Sequence, residues 1–279
     1  MPDVIVTGLP RSGSAMVSAL IDYLPNAVSF NEPAWQMALA QKQLDTLPYC
    51  KWLTGDFVWT RRTMLNLEPV SDYRTTDGRP LFDGLYDPRQ KMKESSENQG
   101  PEAVKEPDVV FFTKPGLTDD FILAMRHHTL FTSLLPTLVK FKHFKIIAVI
   151  RHPLDVLDSW RRMKQPFIGR GNPHGIARFW PEALAIAESS AEEVDRFVQL
   201  YDAYIQRYHE VREHIHIIKY EDVANDPAMV GRLFGLDSPS AAAHLIEKNP
   251  RVMITAEAAL LKERFHKYGV FTKLYYTDI

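Results

Sequence analysis

Cysteine is almost missing from this chain. Cys50 is the only one among 279 residues, so no intrachain disulfide can form and a reducing compartment is expected. N-x-[ST] sequons are missing as well, which removes the mark of a glycosylated secreted protein. No apolar run approaches the roughly 18 residues that a membrane span needs. The first residues carry neither the basic n-region nor the cleavage site of a secretory leader. Surplus charge is lacking too: 33 Lys and Arg stand against 35 Asp and Glu, for a net charge of −2 and a pI near 6.6. That balance argues against broad nucleic-acid binding and against a basic membrane-facing surface. Together these absences predict a cytoplasmic protein with no membrane span and no nucleic-acid partner. What remains is 45% hydrophobic and 24% charged, the proportions of an ordinary globular chain. No internal repeat or linker-like shift in composition appears, so one domain over residues 1–279 is expected.

The most informative stretch is the first. Val4-Ile5-Val6-Thr7 is a short β-branched run that ends abruptly in Gly8-Leu9-Pro10-Arg11-Ser12-Gly13-Ser14. A helical pattern follows at once, with Met16, Ala19, Leu20, Tyr23 and Leu24 recurring at three and four. Strand, tight loop and helix N-terminus aim backbone N–H groups and the positive end of a helix dipole at one point, which suits a phosphate or sulfate. The spacing of Gly8 and Gly13 imitates a Walker A loop, G-x-x-x-x-G-K-[ST]. In that motif a Lys reaches the β/γ-phosphates and the next hydroxyl holds magnesium. Ser14 and Ala15 occupy those two places here, and the cation is Arg11, inside the loop. The anion cradle is kept without the apparatus for Mg-ATP.

Further strands are expected at Ala27–Phe30, Val109–Thr113, Ile146–Ile150 and His214–Lys219, each a short apolar or β-branched run. Val109–Thr113 reads as a strand covered on both faces. Residues 35–66 read as helical, as do residues 119–140, with Pro136 breaking or kinking the second. Helical sequence is expected again from 176 to 213 and from 223 to 267, with breaks at Pro239 and Pro250. Residues 71–108 are rich in turn formers and polar residues, which predicts a mobile surface loop, or else a lid over a substrate. The glycines of 165–175 imitate a dinucleotide fingerprint, but their last spacing is wrong and no strand precedes them. Alternating strands and helices imply one α/β domain: a parallel sheet of about five strands with helices on both faces. In such folds ligands bind outside the carboxyl ends of the strands. Glu32, Lys114, Arg151 and Tyr220 each stand at or just past such an end, so they are the candidate site. His127-His128 and His214/His216 show no Cys or carboxylate at ligand spacing, and no metal site is read.

These residues resemble the PAPS-dependent sulfotransferases. Gly8-Leu9-Pro10-Arg11-Ser12-Gly13-Ser14 is similar to that family's loop for the 5′-phosphosulfate. Arg151-His152-Pro153-Leu154-Asp155-Val156-Leu157-Asp158-Ser159 resembles its 3′-phosphate element, an Arg at a strand end with a Ser eight residues on. Asn31-Glu32-Pro33 is similar to the Glu-Pro step of carbohydrate-type members. Phe112-Thr113-Lys114-Pro115 and Lys219-Tyr220-Glu221-Asp222 resemble the family's Lys-x-Pro and Tyr-Glu-Asp steps. The five elements cover residues 4 to 227 in order.

The resemblance implies a P-loop-type fold and transfer of a sulfuryl group from PAPS, with PAP as product, to a hydroxyl of a small-molecule or carbohydrate acceptor, without a metal. It implies donor binding by Arg11, Ser12, Gly13, Ser14 and the backbone of Ala15, with Arg151 and Ser159 at the 3′-phosphate and Tyr220 also among the donor-binding residues. Ala15 departs from the Thr or Ser of many relatives, so one hydroxyl contact is lost. Aryl and steroid members carry the base as Lys-Thr-His; Gly116 stands two residues after Lys114, so the expected base is Glu32, with Lys114 and Arg11 stabilising developing charge. Two other readings remain open: a P-loop kinase or other nucleotide-dependent transferase, and a non-catalytic nucleotide-binding relative. Residues 49–108 and 161–180 are expected to shape the acceptor pocket.

Overall fold

Five apolar runs build the centre of the molecule. In the computed structural model, which describes residues 3–33, 45–73, 109–162, 179–236 and 255–279, β1 (Asp3–Gly8), β2 (Ala27–Asn31), β5 (Ile122–Arg126), β6 (Phe144–Ile150) and β7 (His216–Lys219) form one parallel sheet, ordered β2-β5-β1-β6-β7. Every residue of β1 and β5 is buried, as expected of parallel strands covered on both faces. Successive side chains leave a strand on opposite faces, and the core divides accordingly. Ile5, Val28, Phe30, Leu123, Met125, Ile146 and Ala148 face one layer, and Val4, Val6, Ile122, Ala124, Ile147 and Val149 face the other.

Helix α1 (Ser14–Asp22) covers the second face, together with Val223 of α7 (Tyr220–Asn225) and Val230 of α8 (Ala228–Arg232). The first face carries α2 (Thr46–Leu65), α3 (His128–Leu138), α4 (Pro153–Arg162), α5 (Pro181–Glu188), α6 (Glu193–Glu210) and α9 (Thr255–Tyr268). The chain therefore leaves β1 on one face and β5 on the other. That divergence opens a crevice at the carboxyl ends of the central strands, where doubly wound sheets bind ligands. No helix among the described residues is long and apolar enough to cross a membrane.

Two expectations are corrected. Residues 119–140 are not one helix: Ile122–Arg126 is a strand that fills the slot between β1 and β2, pairing Val6 with Arg126 and Asn31 with Arg126. A short continuous apolar run fits a buried strand and a buried helix equally well by periodicity, and here pairing on both sides decided. Val109–Phe112, expected inside the sheet, is β4 of a separate antiparallel pair with β3 (Val70–Tyr73). Phe111 is 73% exposed there. The expected loop thus begins with a strand over residues 71–73, and its remaining residues, 74–108, lie outside the described ones, as do 165–175, Pro239 and Pro250. The last strand starts at His216, after a 3-10 turn over Arg212–His214.

Pro136 sits inside α3 without ending it. Its missing N–H strands the carbonyl of Thr132. Arg207 of α6 supplies the donor, with Nε 3.1 Å from the Thr132 carbonyl and Nη2 2.8 Å from that of Ser133.

Candidate functional site

The loop after β1 turns tightly. Ser12 N–H donates to the Leu9 carbonyl at 2.9 Å, and Arg11 (φ 71°) and Gly13 (φ 94°) both take left-handed backbone. Two glycines are required by close approach. A Cβ on Gly8 would lie 2.3 Å from Ser12 Oγ and 2.6 Å from the Val149 carbonyl, and one on Gly13 would lie 2.3 Å from the Tyr220 ring. Gly13 is the N-cap of α1 and brings no side chain to its first N–H groups. Ser12 is buried, and its hydroxyl has no partner among the described residues. A helix dipole, helix-start N–H groups and an orphaned hydroxyl at one point are chemically suited to an anion.

Arg151, just past β6, closes over this loop. Its guanidinium lies 4.3 Å over the Tyr220 ring, and Nη1 lies 3.5 Å from the Arg11 carbonyl. Its Nε is buried without a partner among the described residues, while its backbone carbonyl accepts from Tyr201 Oη. Arg11 Nε donates to Ser159 Oγ at 3.0 Å, and Trp160 Nε1 donates to the Pro10 carbonyl at 2.8 Å. So β6, α4 and the start of α7 place Arg151, Ser159 and Tyr220 around the first loop. Ala15 is the second residue of α1.

The end of β2 meets the end of β5 in a second cluster. Glu32 takes left-handed backbone (φ 52°) and donates its N–H to the Arg126 carbonyl at 2.8 Å. Arg126 is buried; Nη1 lies 2.8 Å from Asn31 Oδ1 and 2.5 Å from Glu32 Oε1, and Nε lies 3.1 Å from Ser14 Oγ. That last bond ties the cluster to the start of α1, just after the first loop. His128 Nδ1 also bonds to Glu32 Oε1, and its ring stacks on that of His127 at 5.5 Å. Burial by itself would raise the Glu32 carboxyl. His128 and Arg126 outweigh it and hold the group well below its ordinary range. Burial pushes His127 down to about 3 against the opposing pull of Glu32. Its Nδ1 accepts from Leu130 N–H at 3.3 Å, capping α3.

An ionised Glu32 can only accept, so His128 Nδ1 must carry the proton of that bond. Nε2, the other ring nitrogen, meets no partner among the described residues, and whenever the ring is neutral it holds the lone pair. The expectation that these histidines lack a carboxylate is corrected. Donor atoms of Glu32, His127 and His128 lie within 4.8 Å of one another, because the carboxylate arrives from a distant strand. Arg126 on the same carboxylate oxygen opposes a divalent cation there.

The structure thus gathers Arg11, Ser12, Gly13, Ser14, Ala15, Arg151, Ser159 and Tyr220, with Glu32 joined to them through Arg126 and Ser14. Lys114 is elsewhere. Its Nζ donates to the Asp22 carbonyl at 2.8 Å, with the Asp22 carboxylate 3.8 Å away. Asp22 ends α1, eight residues after Ser14, or about 12 Å down the helix. Arg126 and His128 are the residues that sequence reasoning missed. Their signal was present: cation-x-His directly after a strand-length apolar run, hidden once that run was taken for helix.

Comparison with known proteins gives one family. The model for the sulfotransferase domain matches residues 1–232. No curated protein matches the sequence. Similar solved structures include sulfotransferase STF9 from Mycobacterium avium, at 15% identity over 96% of this chain and 76% of that one, with a TM-score of 0.41. The sulfotransferase domain of the Synechococcus PCC 7002 olefin synthase is 15% identical over 95% of this chain and 94% of that one, with a TM-score of 0.43. Sulfotransferase STF1 from Mycobacterium tuberculosis H37Rv is 15% identical over 95% and 76%, with a TM-score of 0.39.

Proposed function

The chain belongs to the sulfotransferase domain family, whose usual donor is PAPS, and we propose that it moves the sulfuryl group of PAPS to a hydroxyl of a small-molecule or carbohydrate acceptor. One observation carries the reading: a two-part cation and N–H site for separate anionic groups lies one hydrogen bond, Arg126 to Ser14, from a His–Glu pair. The orphaned Ser12 Oγ and Arg151 Nε fit phosphate-type oxygens. Ser14, where a Walker A loop has Lys, is engaged by Arg126 instead.

PAPS supplies an activated sulfuryl group on a phosphate leaving group. The protein's part is to position, neutralise and accept a proton. Loop N–H groups, Ser12 and Arg11 hold the phosphosulfate end, while Arg151 and Ser159 hold the 3′-phosphate. Arg126, beside Ser14, joins Arg11 in stabilising charge on the transferring group, the role first assigned to Lys114. His128 Nε2 takes the acceptor's hydroxyl proton as the new S–O bond forms and the S–O bond to the 5′-phosphate breaks, its electron pair leaving on PAP. Glu32 orients that ring and stabilises the imidazolium, rather than acting as the base itself. This division is favoured because Glu32 Oε1 is already engaged by both Arg126 and His128, while Nε2 of His128 meets no partner among the described residues.

Melting temperature in the presence of PAP or of Mg-ATP tests the donor class. PAP at about 100 times its dissociation constant should add roughly 2.7 kcal/mol of stability. Stabilisation by Mg-ATP alone would replace the sulfotransferase reading with that of a nucleotide-dependent transferase.

A further inference from the structure

Behind the histidine pair lies a buried chain of hydroxyls that touches neither the anion loop's ligand face nor Glu32. Thr7 precedes Gly8 at the end of β1, Thr132 lies one turn into α3, and Tyr208 comes from α6; all three are fully buried. Tyr208 Oη lies 2.8 Å from Thr132 Oγ1. Thr132 Oγ1 lies 2.7 Å from Thr7 Oγ1, which lies 2.7 Å from the His128 carbonyl and 3.2 Å from that of His127.

Three hydroxyls carry three protons, and the three shortest separations are satisfied together in only one direction: Tyr208 to Thr132, Thr132 to Thr7, Thr7 to the His128 carbonyl. Burial pushes the Tyr208 phenol far above its ordinary range, so it stays protonated and heads the chain as donor. Thr132 Oγ1 also stands 2.9 Å from the His128 carbonyl, a contact that can take over only if it withdraws its proton from Thr7. One more bond, His127 N–H to the Val6 carbonyl at 3.1 Å, extends the β1–β5 pairing up to this point.

We infer that Thr7, Thr132 and Tyr208 are positioning residues: their hydroxyl chain fixes the backbone of His127-His128 against the end of β1, and so holds the His128 ring on Glu32 beside the loop that β1 delivers. The physical reason is leverage. Thr7 lies one residue before the loop, so the same strand end that places the anion site also grips the carbonyl of the residue bearing Nε2. A displacement of about 1 Å in a reacting group can cost on the order of a hundredfold in rate, which backbone pairing of β1 with β5 by itself does not guard against beyond the His127 N–H.

The kinetic part rests on the reading of His128 as base, and the deciding test does not. Protein labelled with 15N-histidine is examined at pH 8.5 by two-bond 1H–15N correlation. Wild type should show His128 as the Nδ1–H tautomer that bonding to Glu32 imposes. Thr7→Val, nearly isosteric, should lose that signature or show a mixture with the Nε2–H form, and Thr7→Ser should restore it. In the transfer assay, with PAPS and water as acceptor, Thr7→Val should lower kcat about tenfold with KM for PAPS unchanged, and Thr7→Ser should recover it. A Thr7→Val protein that melts cooperatively and keeps the wild-type histidine spectrum overturns the inference. If Thr7→Val does not fold, Tyr208→Phe removes only the head donor, and a wild-type spectrum in that variant overturns it equally. A lost signature together with stabilisation of wild type by Mg-ATP and not by PAP would keep the positioning role and count against sulfuryl transfer instead.

Discussion

Gly13 and His128 are the two residues whose replacement separates binding from chemistry. Gly13 combines a φ of 94° with a Tyr220 ring 2.3 Å from any added Cβ. Gly13→Ala should therefore cost about 1–2 kcal/mol in backbone strain, push Tyr220 off its place under Arg151, and abolish stabilisation by PAP in a melting assay. His128→Gln should keep PAP-induced stabilisation and lower kcat by about 10²–10⁴, the range of a lost general base. Glu32→Gln should lose less, because an amide oxygen can still receive the His128 proton; steady-state kinetics of the two variants side by side decides between them. A larger loss for Glu32→Gln would return the base to Glu32. Lys114→Ala should leave kcat within about twofold, since Lys114 binds the far end of α1; a loss beyond ten times would place it back in the site.

At the scale of elements, α3 depends on α6 for a bond its own sequence forfeits. Pro136 leaves the Thr132 carbonyl without a helical donor, and Arg207 takes its place while lying 4.3 Å over the Trp180 ring. Arg207→Leu should destabilise the protein by about 1–3 kcal/mol, the cost of a buried acceptor left unpaired, read as a fall in urea midpoint. The strands were legible to different degrees for a comparable reason. β1, β2, β6 and β7 each end in a turn former or a cation next to a new helical pattern, and these local signals place Glu32, Arg151 and Tyr220. The run Ile122–Met125 passes through Arg126-His127-His128 into the next helical pattern with no Gly, Pro, Asn or Asp between them, and Val109–Phe112 is the more strand-like of the two by composition. Which of the two entered the sheet was decided by partners more than 90 residues away, through pairing with β1 and β2.

Across the whole molecule the candidate site makes the fold acid-sensitive. Between pH 6.5 and about 3 the unfolded chain binds a proton at His127 that the folded chain refuses, so stability falls as pH drops through that window. Glu32, held below its ordinary 4.5, adds stability that is complete above that value and is lost as pH falls through its folded value. Both act in one direction. His127→Asn, which keeps a side-chain acceptor at the cap of α3, should flatten urea-measured stability between pH 7 and 5, with up to about 1.4 kcal/mol per pH unit removed from the slope. An unchanged slope would mean that His127 is solvated in the folded state.

The sequence by itself located the tight loop after β1, the strands β1, β2, β6 and β7, the Arg151/Ser159 pair and the Ser14-Ala15 departure from a Walker A loop, because each depends on neighbours within about ten residues. Tertiary structure decided which strand lies between β1 and β2, and with it which cation and which imidazole reach the loop. Strand adjacency is settled by burial and pairing over the whole sheet, a sum to which no single stretch of sequence holds the key. Lys114 and Arg126 each follow an apolar run of strand length; only the run that found both β1 and β2 as partners carried its cation to the site.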